Sequence, residues 1–350
     1  MVNGFNKNMH KQIPFGSRKI GEGAPVVVIA EIGINHEGDT GHCMRLIDEA
    51  ASAGADAIKL QTVDADENYV PGTQSHKLFS KGYLSAEATA GAFNHAKSLG
   101  MEAFTVTGLR TFDWVERLEP AAYKISSSTL FHYPLLRRAA LTSRSLLMST
   151  GMAETSDIDD AVNWVQECGA VSIGLFQCTS VYPASSDILD LLTIGFLQDR
   201  YGVPAGFSDH SMGSEASVLA VAAGASMIEK HFSLDPSRPD FDHHISLDPG
   251  QFRKMVTRIR EAETMLGTRE KRLVPDAADI ARRMRRYLVA AVDVPLGHTL
   301  TADDIGVMRL DDGQVGLHPR YFDDLVGAIA KVPIKKFKPL LFEQIEQRAS

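Results

Sequence analysis

Apolar runs of strand composition alternate with amphipathic runs of helix composition eight times along this chain. VVVIAEI precedes GHCMRLIDEAASAG, AIKLQT precedes SAEATAGAFNHAKSLG, EAFTVT precedes TFDWVERL, and AYKISS precedes YPLLRRAAL. The alternation continues through LLMSTG, VSIGLFQCTS, PAGFSDHS and SMIEKHF, with a helical pattern after each. Parallel strands need crossover connections, and eight strand–helix pairs within about 240 residues predict a (β/α)8 TIM barrel, whose usual size is about 250 residues. A chain of 350 residues that is 44% hydrophobic has room for that barrel and for one smaller domain.

Composition removes several function classes. A net charge of -8 argues against a nucleic-acid or anionic-membrane surface, since either favours a basic face. The N-terminal MVNGFNKNMHKQIPFG has no apolar core of a signal peptide, and no run approaches the roughly 18 apolar residues that span a bilayer, so a cytoplasmic location is expected. Cys43, Cys168 and Cys178 lack CxxC spacing and read as buried small side chains rather than a disulfide framework or a thiolate zinc site.

In a barrel of this type the chemistry sits at the C-terminal strand ends. Those ends carry Glu31, Asn35 and His36; Lys59 and Gln61; Thr107; Lys124, Ser126 and Ser127; Ser149; Thr179, Ser180 and Tyr182; Ser208, Asp209 and His210; Glu229 and His231. One polar strand end is ordinary, but eight together point to a site. In IEKHF the period of two puts Glu229 and His231 on one face and turns Lys230 away, which marks Lys230 as structural. His210 and His231 occupy equivalent ends of neighbouring strands, so two imidazoles can converge on one ion at about 2.1 Å. With water and substrate oxygen completing the shell, Mn²⁺ or Mg²⁺ is favoured, although imidazole ligands also accept Fe²⁺ or Co²⁺. Lys59, Lys124, Ser127, Ser149 and Ser208 supply two cations and several hydroxyls, which suits a small phosphorylated acid. His243 and His244, in the loop after the last strand, are left open between loop surface and substrate contact.

The segments IAEIGINHEGD, GADAIKLQT, YKISSS, MSTGM, CTSVYPA, GFSDHSMG and IEKHFSLDPSRPDFDHHISLDP resemble, in this order, the sialic acid synthase family. The C-terminal RRYLVAAVDVPLGHTLTADDIGVMRL and GAIAKVPIKKFKPL resemble the antifreeze-like (SAF) domain fused to those synthases. The resemblance implies a TIM-barrel synthase domain at 18–268, a linker at 269–286 and a SAF domain at 287–350. It implies metal-dependent condensation of phosphoenolpyruvate with an N-acylated aldose, N-acetylmannosamine or a related 2,4-diacetamido hexose, to a nine-carbon nonulosonic acid with release of phosphate. Carried over by position, His210 and His231 match metal ligands, with Mn²⁺ the expected ion and Mg²⁺ or Co²⁺ as alternatives. Lys59, Thr107, Lys124, Ser127, Ser149 and Ser208 match positions that hold phosphoenolpyruvate. Gln61, Tyr182 and Asp242 match positions facing the sugar, and Ser180 in CTS resembles the legionaminate, pseudaminate and spore-coat branches. Glu31 and Glu229 match acids near the reacting carbons, and either is a candidate general base. Arg309 matches an arginine that one subunit's small domain inserts into its partner's site, which implies a domain-swapped homodimer. Three other readings stay open: a class I aldolase with Lys59 or Lys124 as Schiff-base lysine, a synthase of a shorter sugar acid, and a non-enzymatic carbohydrate-binding protein.

Overall fold

The computed structural model describes residues 11–268, 270–310 and 313–346. Expectations about residues 1–10, Arg269, Asp311, Asp312 and residues 347–350 lie outside the described residues. The chain divides into two compact units, Met1–Gly267 and Thr268–Ser350.

The first unit opens with an antiparallel hairpin, β1 (Gln12–Phe15) and β2 (Arg18–Gly21). Eight parallel strands follow: β3 (Val27–Gly33), β4 (Ala57–Thr62), β5 (Glu102–Thr107), β6 (Tyr123–Ile125), β7 (Leu146–Ser149), β8 (Ile173–Cys178), β9 (Ala205–Asp209) and β10 (Met227–His231). They close into a barrel in sequence order, with β10 pairing β3. Both faces of these strands are buried, which is why they read as nearly continuous apolar runs.

The period of two divides each strand between two cores. Along β3, Val28, Ala30 and Ile32 pack outward with the helices, while Val27 and Ile29 point inward. Ala57, Phe104, Leu147, Phe176 and Met227 join the inward core, and so do Ile13, Phe15 and Ile20 of the hairpin. Phe15 meets Phe104 edge to face at 5.3 Å between ring centroids. The hairpin therefore plugs the N-terminal end of the barrel. At Gly206 a methyl group would overlap the Met227 carbonyl, so only glycine fits that crossing of β9 and β10.

One inward step further along, the same strands change from apolar to polar: Ile29 to Glu31, Ala57 to Lys59, Leu147 to Ser149, and Met227 to Glu229. Register places them side by side, with Glu31 opposite Lys59, His231 opposite Glu31, and Glu229 opposite Ser208. The last barrel helix, Pro249–Leu266, starts from a capping box between Asp248 and Gln251 and buries Phe252, Met255, Val256 and Ile259.

In the second unit the helix Ala278–Met284 buries no residue. Two antiparallel pairs follow, β11 (Arg286–Ala290) with β12 (Ile305–Arg309) and β13 (Ile329–Ala330) with β14 (Ile345–Glu346). Leu288, Leu300, Leu325, Ile334 and Leu340 form its core.

Candidate active site

The C-terminal strand ends of the barrel surround a cavity of about 290 Å³. Glu229 stands at its floor. Its Oε1 accepts from Lys59 Nζ at 2.7 Å, Ser208 Oγ at 3.0 Å and Lys124 Nζ at 3.2 Å. Lys124 also donates to Ser149 Oγ at 2.7 Å. Gln61 Nε2 donates to Glu31 Oε1 at 3.0 Å, and Glu31 Oε2 lies 3.2 Å from Lys59 Nζ as an ion-pair contact without hydrogen-bond geometry. Glu229 Oε2 is likewise buried without a hydrogen-bond partner. Two carboxylate oxygens at the floor thus remain open to accept.

The two acids have opposite proton affinities. Burial pushes the Glu31 carboxyl up to about 7, with Lys59 only partly opposing it and Glu229 adding repulsion. Glu229 is as deeply buried, but Lys124 and Lys59 outweigh that burial and hold it well below the usual carboxylate range. Lys59 is held above its ordinary value, because Glu229 and Glu31 more than offset its burial. Lys124 is lowered by burial despite Glu229. Near neutral pH Glu229 is therefore a fixed anion, Lys59 a fixed cation and Glu31 an acid able to exchange a proton.

His210 and His231 face the same cavity, their rings 5.6 Å apart. Burial lowers both imidazoles, which keeps them neutral. His210 Nδ1 lies 2.8 Å from the Thr179 carbonyl, an acceptor only, so Nδ1 carries the hydrogen and Nε2 the lone pair. Nε2 is 3.2 Å from the Tyr182 hydroxyl. His231 Nδ1 is buried with no hydrogen-bond partner and lies 3.8 Å from Asp242 Oδ2. Among the described residues no group of three or more His, Cys, Asp or Glu is arranged as a metal site. Two neutral imidazoles, one with its second nitrogen held by a carbonyl and one with an orphaned nitrogen, fit an ion whose remaining ligands are water and substrate oxygens.

Gln61, Ser127, Ser149, Ser180, Tyr182, Ser208 and Asp242 also line the cavity. Asp242 reaches it from the loop after β10. Its N–H donates to Asn35 Oδ1 at 3.1 Å, and Asn35 Nδ2 donates to the Phe232 carbonyl at 3.0 Å. Thr107, expected at the site, is not among the lining residues. Its hydroxyl pairs with Thr111 Oγ1 at 2.7 Å on the outward side, and Val106 takes the inward position on β5. Arg309 lies exposed at the end of β12 in the second unit, across from Arg286. Lys230 is fully buried against Asp209 at 3.2 Å, on the side away from Glu229. His243 is buried between Ser233 and Glu37, and His244 is exposed.

Sequence reasoning missed Asn68, Tyr69 and Phe79, which line the cavity from the segment after β4. The sequence signal for them is a pair of aromatics in the mostly polar DADENYVPGTQSHKLFS.

The NeuB family matches residues 46–271 and the SAF domain matches residues 285–346. An uncharacterised protein of Methanocaldococcus jannaschii is 36% identical over 300 residues, 85% of this chain and 89% of its own. The N,N'-diacetyllegionaminic acid synthase of Legionella pneumophila is 32% identical over 351 residues, 95% of this chain and 98% of its own. The crystal structure of the N-acetylneuraminic acid (sialic acid) synthetase of Leptospira borgpetersenii in complex with citrate is similar at a TM-score of 0.74 and 30% identity, covering 78% of this chain and 95% of that one. The chain belongs to the NeuB family: it is a carbon–carbon bond-forming transferase of the sialic acid synthase type, built as a TIM barrel followed by a SAF domain.

Proposed function

We propose that the enzyme condenses phosphoenolpyruvate with the open-chain form of an N-acylated aldose, releasing phosphate and a nine-carbon nonulosonic acid, in the cytoplasm and with a divalent ion, Mn²⁺ in first place. The observation that carries this reading is the shared cavity of two neutral imidazoles and a buried lysine–carboxylate floor. An ion held by His210 and His231 supplies Lewis acidity toward the aldehyde oxygen. Lys59, Lys124 and the hydroxyls of Ser127, Ser149 and Ser208 bind the phosphate and carboxylate of phosphoenolpyruvate and neutralise charge as phosphate leaves. Glu229 remains ionised and keeps both ammonium groups aimed into the cavity. Glu31, able to take a proton near neutral pH, serves as general base for water adding at C2 of the three-carbon unit. Gln61, Ser180, Tyr182 and Asp242 hold the polar substituents of the sugar. Arg309 reaches the site of a second subunit in a domain-swapped homodimer, where it adds a cation and helps exclude water.

A class I aldolase reading has one observation in its favour, the lowered proton affinity of Lys124. Borohydride trapping with pyruvate separates the two. For the proposed reaction, phosphate release is measured with phosphoenolpyruvate, Mn²⁺ and a panel of N-acetylated hexoses. Release should accompany one class of acylamino sugar and stop with EDTA. No release with any sugar, or a trapped pyruvyl adduct, overturns the proposal.

A further inference from the structure

The cavity wall formed by Asn68, Tyr69 and Phe79 comes from a segment with little packing of its own. The short helix Ala65–Asn68 buries only Ala65, and the helix Gln74–Lys81 buries no residue. Apolar burial therefore does not decide where these side chains stand. His76 Nε2 lies 2.6 Å from Asp66 Oδ1 and ties the second helix to the first, and the Glu67 carboxylate ties the first helix to the barrel. Glu67 Oε1 accepts the Leu109 N–H at 2.5 Å and Oε2 accepts the Arg110 N–H at 3.0 Å. Two consecutive backbone donors on one carboxylate make a directional, charge-assisted tie.

The turn that presents these donors follows β5 and is itself fixed. Thr111 Oγ1 donates to the Thr62 carbonyl at 3.0 Å and accepts the Gly108 N–H at 3.0 Å. Gly108 makes the approach of Glu67 possible, because a methyl group at that position would overlap the carboxylate. The neighbouring ion pair of Arg110 with Asp64, at 3.2 Å, is largely exposed and screened by water, so it is the weaker tie. Beyond Glu67, Tyr69 packs on Phe79 with ring centroids 4.8 Å apart, and both face the cavity. An aromatic wall of this kind fits the methyl of an acylamino substituent better than a bare hydroxyl.

We propose that Glu67, seated against Gly108, is a positioning residue that holds the Tyr69–Phe79 wall over the cavity and so selects for an acylated sugar. The specificity half rests on the condensation proposed above; the clamp itself does not. Glu67→Ala, Gly108→Ala and the double variant test both halves. Steady-state kinetics are read for the aldose and for phosphoenolpyruvate separately, and hydrogen–deuterium exchange is followed across residues 65–81. Each single variant should speed exchange there and raise the aldose KM by about tenfold or more, while the phosphoenolpyruvate KM moves by less than about twofold. The double variant should be no worse than Glu67→Ala, because both changes remove one contact. Unchanged exchange in Glu67→Ala overturns the clamp, whether or not Gly108→Ala folds. Faster exchange with an unchanged aldose KM, or additive effects in the double variant, overturns the positioning role. A wild-type chain that releases no phosphate with any acylamino sugar overturns the condensation and the specificity half together, and exchange still decides the clamp.

Discussion

Glu31 and Glu229 share Lys59, yet only Glu229 also receives Lys124 and Ser208. That difference in partners leaves Glu31 as the acid that titrates near neutrality. If it is the general base, activity should fall as pH drops through about 7, and Glu31→Gln should lower kcat by about 10² to 10⁴ and remove that limb of the pH profile. The same burial has a thermodynamic sign. Between the ordinary value of 4.5 and about 7 the folded chain keeps a proton that the unfolded chain has released, so stability falls as pH rises through this window. Glu31→Gln should therefore raise stability at pH 8 by about 1 to 3 kcal/mol in urea denaturation, even as activity is lost. A variant less stable than the parent would contradict the account. Replacing His210 or His231 by Ala should abolish Mn²⁺ binding measured by calorimetry and lower kcat by orders of magnitude, with the circular dichroism spectrum unchanged.

At the scale of strands, the period of two decides what is seen from which side. Lys230 was legible as structural because it alternates with Glu229 and His231, and it pairs with Asp209 where β9 and β10 lie in register. Lys230→Met leaves the Asp209 carboxylate buried without its ammonium partner, which should cost about 3 to 5 kcal/mol, read by urea denaturation. The same rule, applied to β5, would have put Val106 rather than Thr107 inward. The floor of the site was legible because inward strand positions are fixed by local chain geometry. Tyr69 and Phe79 were not, because their place depends on Glu67 meeting two N–H groups more than forty residues away, a contact with no local pattern. The hairpin was not legible: RKIG does not alternate, and nothing local says that the segment enters a barrel. Phe15→Ala should cost about 3 to 5 kcal/mol and leave both substrate KM values unchanged, as measured by denaturation and kinetics.

For the whole molecule, the proposed swapped dimer makes a quantitative claim. Mixing inactive His231→Ala and inactive Arg309→Ala subunits should restore about a quarter of the wild-type sites after random exchange, since half of the dimers are mixed and each mixed dimer has one intact site. No recovered activity, or a monomer by light scattering, would contradict it. The plugged end of the barrel carries a different kind of consequence. With Ile13, Phe15 and Ile20 filling the bottom, the vessel has one doorway, and whatever goes in last blocks whatever went in first. In the proposed condensation, a three-carbon acid that binds at the lysine floor would have to arrive before the sugar. The phosphate of that reaction, set free at the bottom, could not leave until the nine-carbon product cleared the mouth, so the shape of the barrel would set the order of arrival and departure before any affinity is considered.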